Sequence, residues 1–167
     1  MRALLLYLTL IAGVVLATAP SSVHAADQPR DNLAALDSLR HDTTGLAGHV
    51  VYVDFWASWC PPCRQSFPWM IKQAEEYAQR GLKVVAVSVD KKRQDATRFL
   101  EKVDPQFEIL FDSTGTLAER YGLEAMPTSF VYGRDGRLRF SHKGFTPEDE
   151  PVLDSVINVL LQEKPTP

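Results

Sequence analysis

The sequence predicts a layered α/β domain in which parallel central strands are finished by an antiparallel hairpin. Two apolar, β-branched runs at Val50–Phe55 and Lys83–Val89 are separated by helical periodicity, and Gly133-Arg134-Asp135-Gly136 joins two strand-like segments near the C-terminus. The 167 residues are 45% apolar and 23% charged, which excludes a disordered chain, a collagen-like repeat and a multi-pass membrane protein. Basic side chains number 18 against 21 acidic ones, without a basic stripe, so nucleic acid is not an expected partner. The densest basic cluster, Lys91-Lys92-Arg93, reads as a solvated loop or helix start.

The segment Val50-Val51-Tyr52-Val53-Asp54-Phe55 is almost continuously apolar, the pattern of a strand covered on both faces. From Pro61 to about Arg80, apolar residues at Phe67, Met70, Ile71, Ala74 and Tyr77 alternate with charges at helical spacing until Gly81 ends the run. Lys83–Val89 reads as a second buried strand, Gln94–Val103 as a helix and Phe107–Phe111 as a short strand. Thr114–Tyr121 is expected to be helical and to stop at Gly122. Strands at Thr128–Tyr132 and Leu138–His142 form the hairpin, and Pro147–Leu161 closes the chain as an amphipathic helix.

The N-terminus has the pattern of an export signal: Arg2, an apolar stretch from Ala3 to Ala17, and Val23-His24-Ala25 before a cleavage point. Cleavage after Ala25 leaves 142 of the 167 residues, enough for one domain with a core. An uncleaved anchor is the other reading, since Ala3 to Ala19 reaches the lower limit of a spanning helix. Both place the remainder outside the cytoplasm. The expected organisation is residues 1–25 as signal or anchor, 26–45 as a polar lead-in with a short Leu33, Leu36, Leu39 pattern, 46–162 as the domain, and 163–167 as a tail.

The chain has two cysteines, Cys60 and Cys63, which excludes a disulfide-stapled scaffold. They flank Pro61 and Pro62, which suit the first helical positions because their missing N–H groups have no partner there anyway. Cys60 is thus expected at the helix N-cap and Cys63 one turn deeper, within reach of a disulfide. So small a ring adds little stability, and the bond suits opening and closing better than stapling. A thiolate at the N-cap feels the positive end of the helix dipole and can accept the Cys63 N–H, a setting that lowers thiol pKa from about 8.5 into roughly 3.5–7.5. Cys60 is therefore read as the attacking nucleophile and Cys63 as the resolving thiol. The two prolines offer no N–H and no histidine lies between the cysteines, which argues for a modest lowering and a bias toward reductase work.

A structural zinc site is disfavoured, because one CxxC with the scattered His41, His49 and His142 is not a four-ligand set. An inert disulfide and a single-cysteine peroxidase also compete with redox exchange. Asp54 sits inside an apolar strand, where desolvation raises a carboxyl pKa and equips it to relay the proton of Cys63; a solvated strand-edge position would leave it an ordinary acid. Trp56 reads as core, whereas Trp59 borders the thiol. Pro68 removes a hydrogen bond within the helix and is expected to kink it.

The run Val53-Asp54-Phe55-Trp56-Ala57-Ser58-Trp59-Cys60-Pro61-Pro62-Cys63, followed by Pro68 and by Ala125-Met126-Pro127-Thr128, resembles the thioredoxin superfamily, in particular its exported TlpA/ResA/DsbE-like members. The resemblance covers about residues 46–162. It implies a thioredoxin-like fold with an extra α-β insert between the second strand and the cis-proline loop, and a buried acid at Asp54. It also matches Pro127 to a cis-proline that turns Met126 outward beside Cys60, where an extended substrate segment can add as a strand. Trp59, Pro61, Pro62, Met126 and Pro127 are accordingly the expected substrate contacts. Many cytochrome-maturation relatives have a Glu two residues before the helix proline; Ser66 stands there, which puts the apocytochrome role in doubt.

These readings converge on a periplasmic or otherwise extracytoplasmic protein-disulfide reductase acting on cysteines of exported proteins, with a monomer the default and the oligomeric state not given by the sequence. The resemblance implies a membrane dithiol donor as the source of electrons, and no metal or organic cofactor is needed. A thiol oxidant and a non-catalytic binding module with a closed disulfide are the competing functions.

Overall fold

The strand Val50–Trp56 (β1) runs through the middle of the molecule and is buried at every position. The computed structural model describes Leu46 and residues 48–164, so the signal or anchor segment and the lead-in with its leucine pattern lie outside the described residues. Side chains alternate along β1. Val51, Val53 and Phe55 pack with Val85, Val87, Tyr121 and Phe130, while Val50, Tyr52 and Trp56 pack with Cys63, Phe67, Met70, Leu153 and Ile157. Two cores thus share one strand, which is why its sequence is apolar without alternation.

Five strands form the sheet: β1, β2 (Leu82–Ser88), β3 (Glu108–Phe111), β4 (Thr128–Tyr132) and β5 (Leu138–Lys143), in the order β3-β2-β1-β4-β5. β1, β2 and β3 are parallel, and β4 and β5 are antiparallel to their neighbours. Burial alternates along the edge strand β5, as one solvated face requires. Helices α1 (Pro61–Tyr77), α2 (Arg93–Val103), α3 (Thr116–Arg120) and α4 (Glu150–Gln162) complete the α/β arrangement predicted from the sequence. The passage α2-β3-α3 fills the expected insert before the cis-proline loop.

Several boundaries differ from the sequence reading, each for a local reason. The first helix changes into a 3-10 turn at Ala78–Arg80 before Gly81, whose φ of 93° closes it with a bond to the Ala78 carbonyl. The second strand is shifted by one residue, although Val89 N–H still bonds the Trp56 carbonyl at 2.9 Å. α2 begins one residue earlier than read, at Arg93, whose guanidinium stacks on Phe111 at 3.9 Å from the ring centroid. α3 is shorter than Thr114–Tyr121 because Asp112 Oδ2 accepts the Ala118 N–H at 2.8 Å and the Thr114 and Thr116 hydroxyls bond each other at 2.9 Å, which commits the preceding residues to a turn. The last helix starts at Glu150, after a 3-10 turn in which Asp149 Oδ2 accepts the Thr146 N–H at 2.8 Å.

Away from the cysteines, Arg134 in the β4–β5 turn ties three parts of the chain together. Its Nη1 donates to the Gly48 carbonyl at 3.0 Å, and its Nη2 donates to the carbonyls of Arg80 at 2.7 Å and Leu161 at 3.3 Å. These are the entry to β1, the end of the first helical segment and the end of α4. A Cβ at Gly81 would stand 2.7 Å from Arg134 Nη1, so a side chain there would displace that guanidinium as well as strain the positive φ. Removing the guanidinium leaves carbonyls from three elements without their charged donor. Arg134→Ala is therefore expected to lower unfolding free energy by about 2–3 kcal/mol in urea titration, with Arg134→Lys recovering less than half because one ammonium cannot reproduce the planar fork.

Candidate active site

Three strand ends bring the site together. The registers Phe55↔Thr128 and Trp56↔Ser88 put the residues before β4 and after β2 beside the turn that leaves β1. That turn is closed by Cys60 N–H bonding the Ala57 carbonyl at 3.1 Å, and it delivers Cys60 to the N-cap of α1 with φ −90° and ψ 110°. Pro61 and Pro62 occupy the first helical positions, and Cys60 Sγ accepts the Cys63 N–H at 3.3 Å. Cys60 and Cys63 are joined as a disulfide, with Cα atoms 5.3 Å apart. Cys60 is 3% exposed and Cys63 wholly buried, so the order of depth is the one expected.

A groove of about 660 Å³ opens at Cys60. Trp59, Pro61, Pro62 and Met126 line it as the sequence suggested, joined by Leu123 and Lys91. The Met126–Pro127 peptide is cis. Met126 is half-buried against the core that contains both cysteines, whereas Pro127 is buried and does not line the groove. Its carbonyl is taken by Gly144 N–H at 2.8 Å, and the Ala125 carbonyl by the Thr128 hydroxyl at 2.8 Å. Trp59 stands 64% exposed at the rim.

Asp54 lies between Tyr52 and Trp56 on the β1 face covered by α1, and it is 1% exposed. Its Oδ2 is buried with no hydrogen-bond partner among the described residues. Burial pushes its carboxyl well above the ordinary carboxylate range, and its charge helps to hold the Tyr52 phenol above its own usual value after burial itself. A solvated strand-edge position therefore does not describe this residue. Trp56 is core, with Phe67 edge-on at 4.7 Å between centroids. Ser66 is buried, and its hydroxyl donates to the Cys63 carbonyl at 2.8 Å within the same helix. The helix continues through Pro68.

One group at the site escaped the sequence reading. Asp90, just past β2, is 3% exposed and accepts from Ser58 N–H at 2.9 Å, Ser58 Oγ at 2.8 Å and Ser88 Oγ at 3.0 Å. An acid directly after a buried strand was the visible signal, but its partner Ser58 is 32 residues away. Lys91, read with its neighbours as a solvated cluster, lines the groove.

Comparison with known proteins agrees with this geometry. The Redoxin family model matches residues 17–157. The thiol-disulfide oxidoreductase ResA of Bacillus subtilis (strain 168) is 27% identical over 128 residues, covering 77% of this chain and 72% of its own. A crystal structure described as a putative thiol:disulfide interchange protein DsbE from Chlorobium tepidum superposes with a TM-score of 0.68 at 46% identity, across 70% of this chain and 82% of that one. StoA from Bacillus subtilis superposes at 0.57 with 26% identity, across 65% and 82%. With a family match that spans most of the chain, and with the sheet order and the cysteine-capped helix in place, the chain belongs to the Redoxin family, within the thioredoxin superfamily.

Proposed function

We propose that this thiol-disulfide oxidoreductase works mainly as a reductase of disulfides in other exported proteins, with Cys60 attacking and Cys63 resolving. The observation that carries the reading is Cys60 Sγ at the N-cap of α1, accepting the Cys63 N–H at the mouth of the groove. In the reduced protein the Cys60 thiolate attacks a client disulfide, forming a Cys60–client bond and releasing one client sulfur, which takes up a proton. Asp54, once it has released its own proton to solvent, takes the proton of Cys63, whose thiolate attacks Cys60 Sγ. This releases the second client thiol and leaves the Cys60–Cys63 disulfide, two electrons having passed to the client. A dithiol donor at the membrane restores the pair.

The direction follows from how little stabilises the thiolate. Pro61 and Pro62 supply no N–H, leaving the Cys63 amide as the backbone donor seen at Sγ. Strong oxidants owe their potential to a stabilised reduced form, and a single amide stabilises it less. Met126, Trp59, Pro61 and Pro62 form the client-binding rim, with Pro127 setting the backbone of Met126 from below. With Ser66 bonded inside its own helix, no acid stands near the thiols at that position, which favours clients in general over apocytochromes alone. The export pattern at Arg2 and Val23-His24-Ala25 supports an extracytoplasmic protein, free or anchored.

Cys60→Ser is expected to abolish reduction of insulin disulfides, and Cys63→Ser to leave Cys60 trapped with client as a mixed disulfide visible on non-reducing gels. Thiol trapping in cells checks the direction: the pair is expected mostly reduced, and a mostly oxidised pair would instead mark an oxidant.

Asp54 generates a linked prediction. Because burial raises its folded-state pKa, the folded chain retains a proton that the unfolded chain releases near pH 4. Stability is therefore lost progressively as pH rises from that point toward the raised folded-state value. Asp54→Asn removes this dependence, so its Tm advantage over the wild type is expected to grow from pH 4 to pH 8 in thermal melts. The same change is expected to slow resolution of the mixed disulfide about 10²-fold, the usual scale of a lost proton acceptor.

A further inference from the structure

Asp90 has no place in the thiol chemistry described above, yet its bonds converge on the residue two before Cys60. Its two carboxylate oxygens hold Ser58 at both N–H and Oγ, and Oδ2 also accepts from Ser88 Oγ, which in turn receives the Asp90 N–H at 3.2 Å. Burying a carboxylate is unfavourable unless it is fully hydrogen-bonded, and here the donors come from the ends of β1 and β2. Two of the three bonds that the carboxylate accepts come from Ser58.

The turn 57–60 has few other supports. Trp59 projects outward, and the turn's own bond is Cys60 N–H to the Ala57 carbonyl. In the oxidised protein the bond to Cys63 also holds Cys60 in place. Reduction removes that covalent tie at the moment when the Cys60 sulfur must stay aimed at the Cys63 N–H. What then remains is the turn's own bond, the Arg64 N–H on the Cys60 carbonyl at 3.2 Å, and the grip on Ser58, of which the last alone anchors the turn to another strand. We propose that Asp90 is a positioning residue for the attacking thiol, keeping Cys60 at the N-cap of α1 through Ser58 once the disulfide is open. This rests on the reading of Cys60 as nucleophile.

The experiment compares reduced wild type with Asp90→Ala, Asp90→Asn and Ser58→Ala, following iodoacetamide alkylation of Cys60 against pH and the thiol-disulfide equilibrium with glutathione. Loss of the N-cap position removes amide stabilisation from the thiolate. The half-reaction pH is therefore expected to rise by about one unit in Asp90→Ala, and less in Asp90→Asn and Ser58→Ala, which each keep part of the grip. The equilibrium with glutathione is expected to shift about tenfold toward the disulfide, or about 30 mV to more negative potential.

A merely structural carboxylate would lower Tm and leave both readouts unmoved, which overturns the proposal. A half-reaction pH that falls also overturns it, because Asp90 would then act only as a charge opposing the thiolate. Lys91 on the groove side and Arg64, Asp95 and Arg98 on the other are unaltered in every variant, so their fields are common to all. If Asp90→Ala fails to fold, Ser58→Ala decides the matter, since it loses one hydroxyl at a half-buried position and retains its N–H. Should wild-type Cys60 itself titrate as an ordinary thiol and Cys60→Ser remain active, the functional reading fails first and takes this one with it. A low wild-type titration that the variants leave in place sinks this proposal alone.

Discussion

The backbone pairing of β1 with its two neighbours is the constraint on which the rest of the structure depends. One parallel partner and one antiparallel partner mean that the exit of β1, the exit of β2 and the entry to β4 all lie at the same end of the sheet. The cysteine turn, Asp90 and the Met126–Pro127 loop are adjacent for that reason and no other. A slip of one residue in either pairing would reverse which side chains face α1, sending Asp54 into the opposite core. Because β1 is buried on both faces, such a slip has no soft alternative.

The site uses two buried aspartates in opposite ways. Asp90 has donors for both oxygens and holds backbone in place, whereas Asp54 has a bare Oδ2 and a carboxyl that burial holds toward its neutral form. The difference is one of surroundings. Asp90 lies at a strand end, where a turn brings serine hydroxyls and an amide; Asp54 lies within a strand whose backbone groups are already used in the sheet. A carboxyl in the second setting lacks a donor at Oδ2, and burial favours its protonated form.

The layers and the cysteine pair were legible in the sequence because they rest on local rules: continuous apolar runs for strands buried twice, prolines at helix starts, Gly-Arg-Asp-Gly for the hairpin. Asp54 was legible because an acid inside such a run has only a few possible environments. The Asp90–Ser58 grip was not, since it exists only when residues 32 apart are brought together by one register, and neither residue is unusual in its own neighbourhood. Helix ends were misjudged where side chains took up backbone groups at the helix entry, Asp112 bonding the Ala118 N–H and Asp149 capping the Thr146 N–H. Periodicity reports which face a residue serves, but not which hydrogen bond wins at its ends. Arg134 was invisible for the same reason as Asp90, because its three acceptors come from three separate elements.

Of the three tryptophans, Trp56 and Trp69 are buried in the core beneath α1, while Trp59 stands 64% exposed at the groove beside Cys60. The protein thus carries its own optical label on the reacting edge and keeps the other two indoles out of solvent. A dissolved quencher meets mainly Trp59, so the part of the emission it extinguishes reports on the rim rather than on the fold. A client seated in the groove would shield that same ring. Occupancy and unfolding are therefore separable in one fluorescence measurement on the unmodified chain.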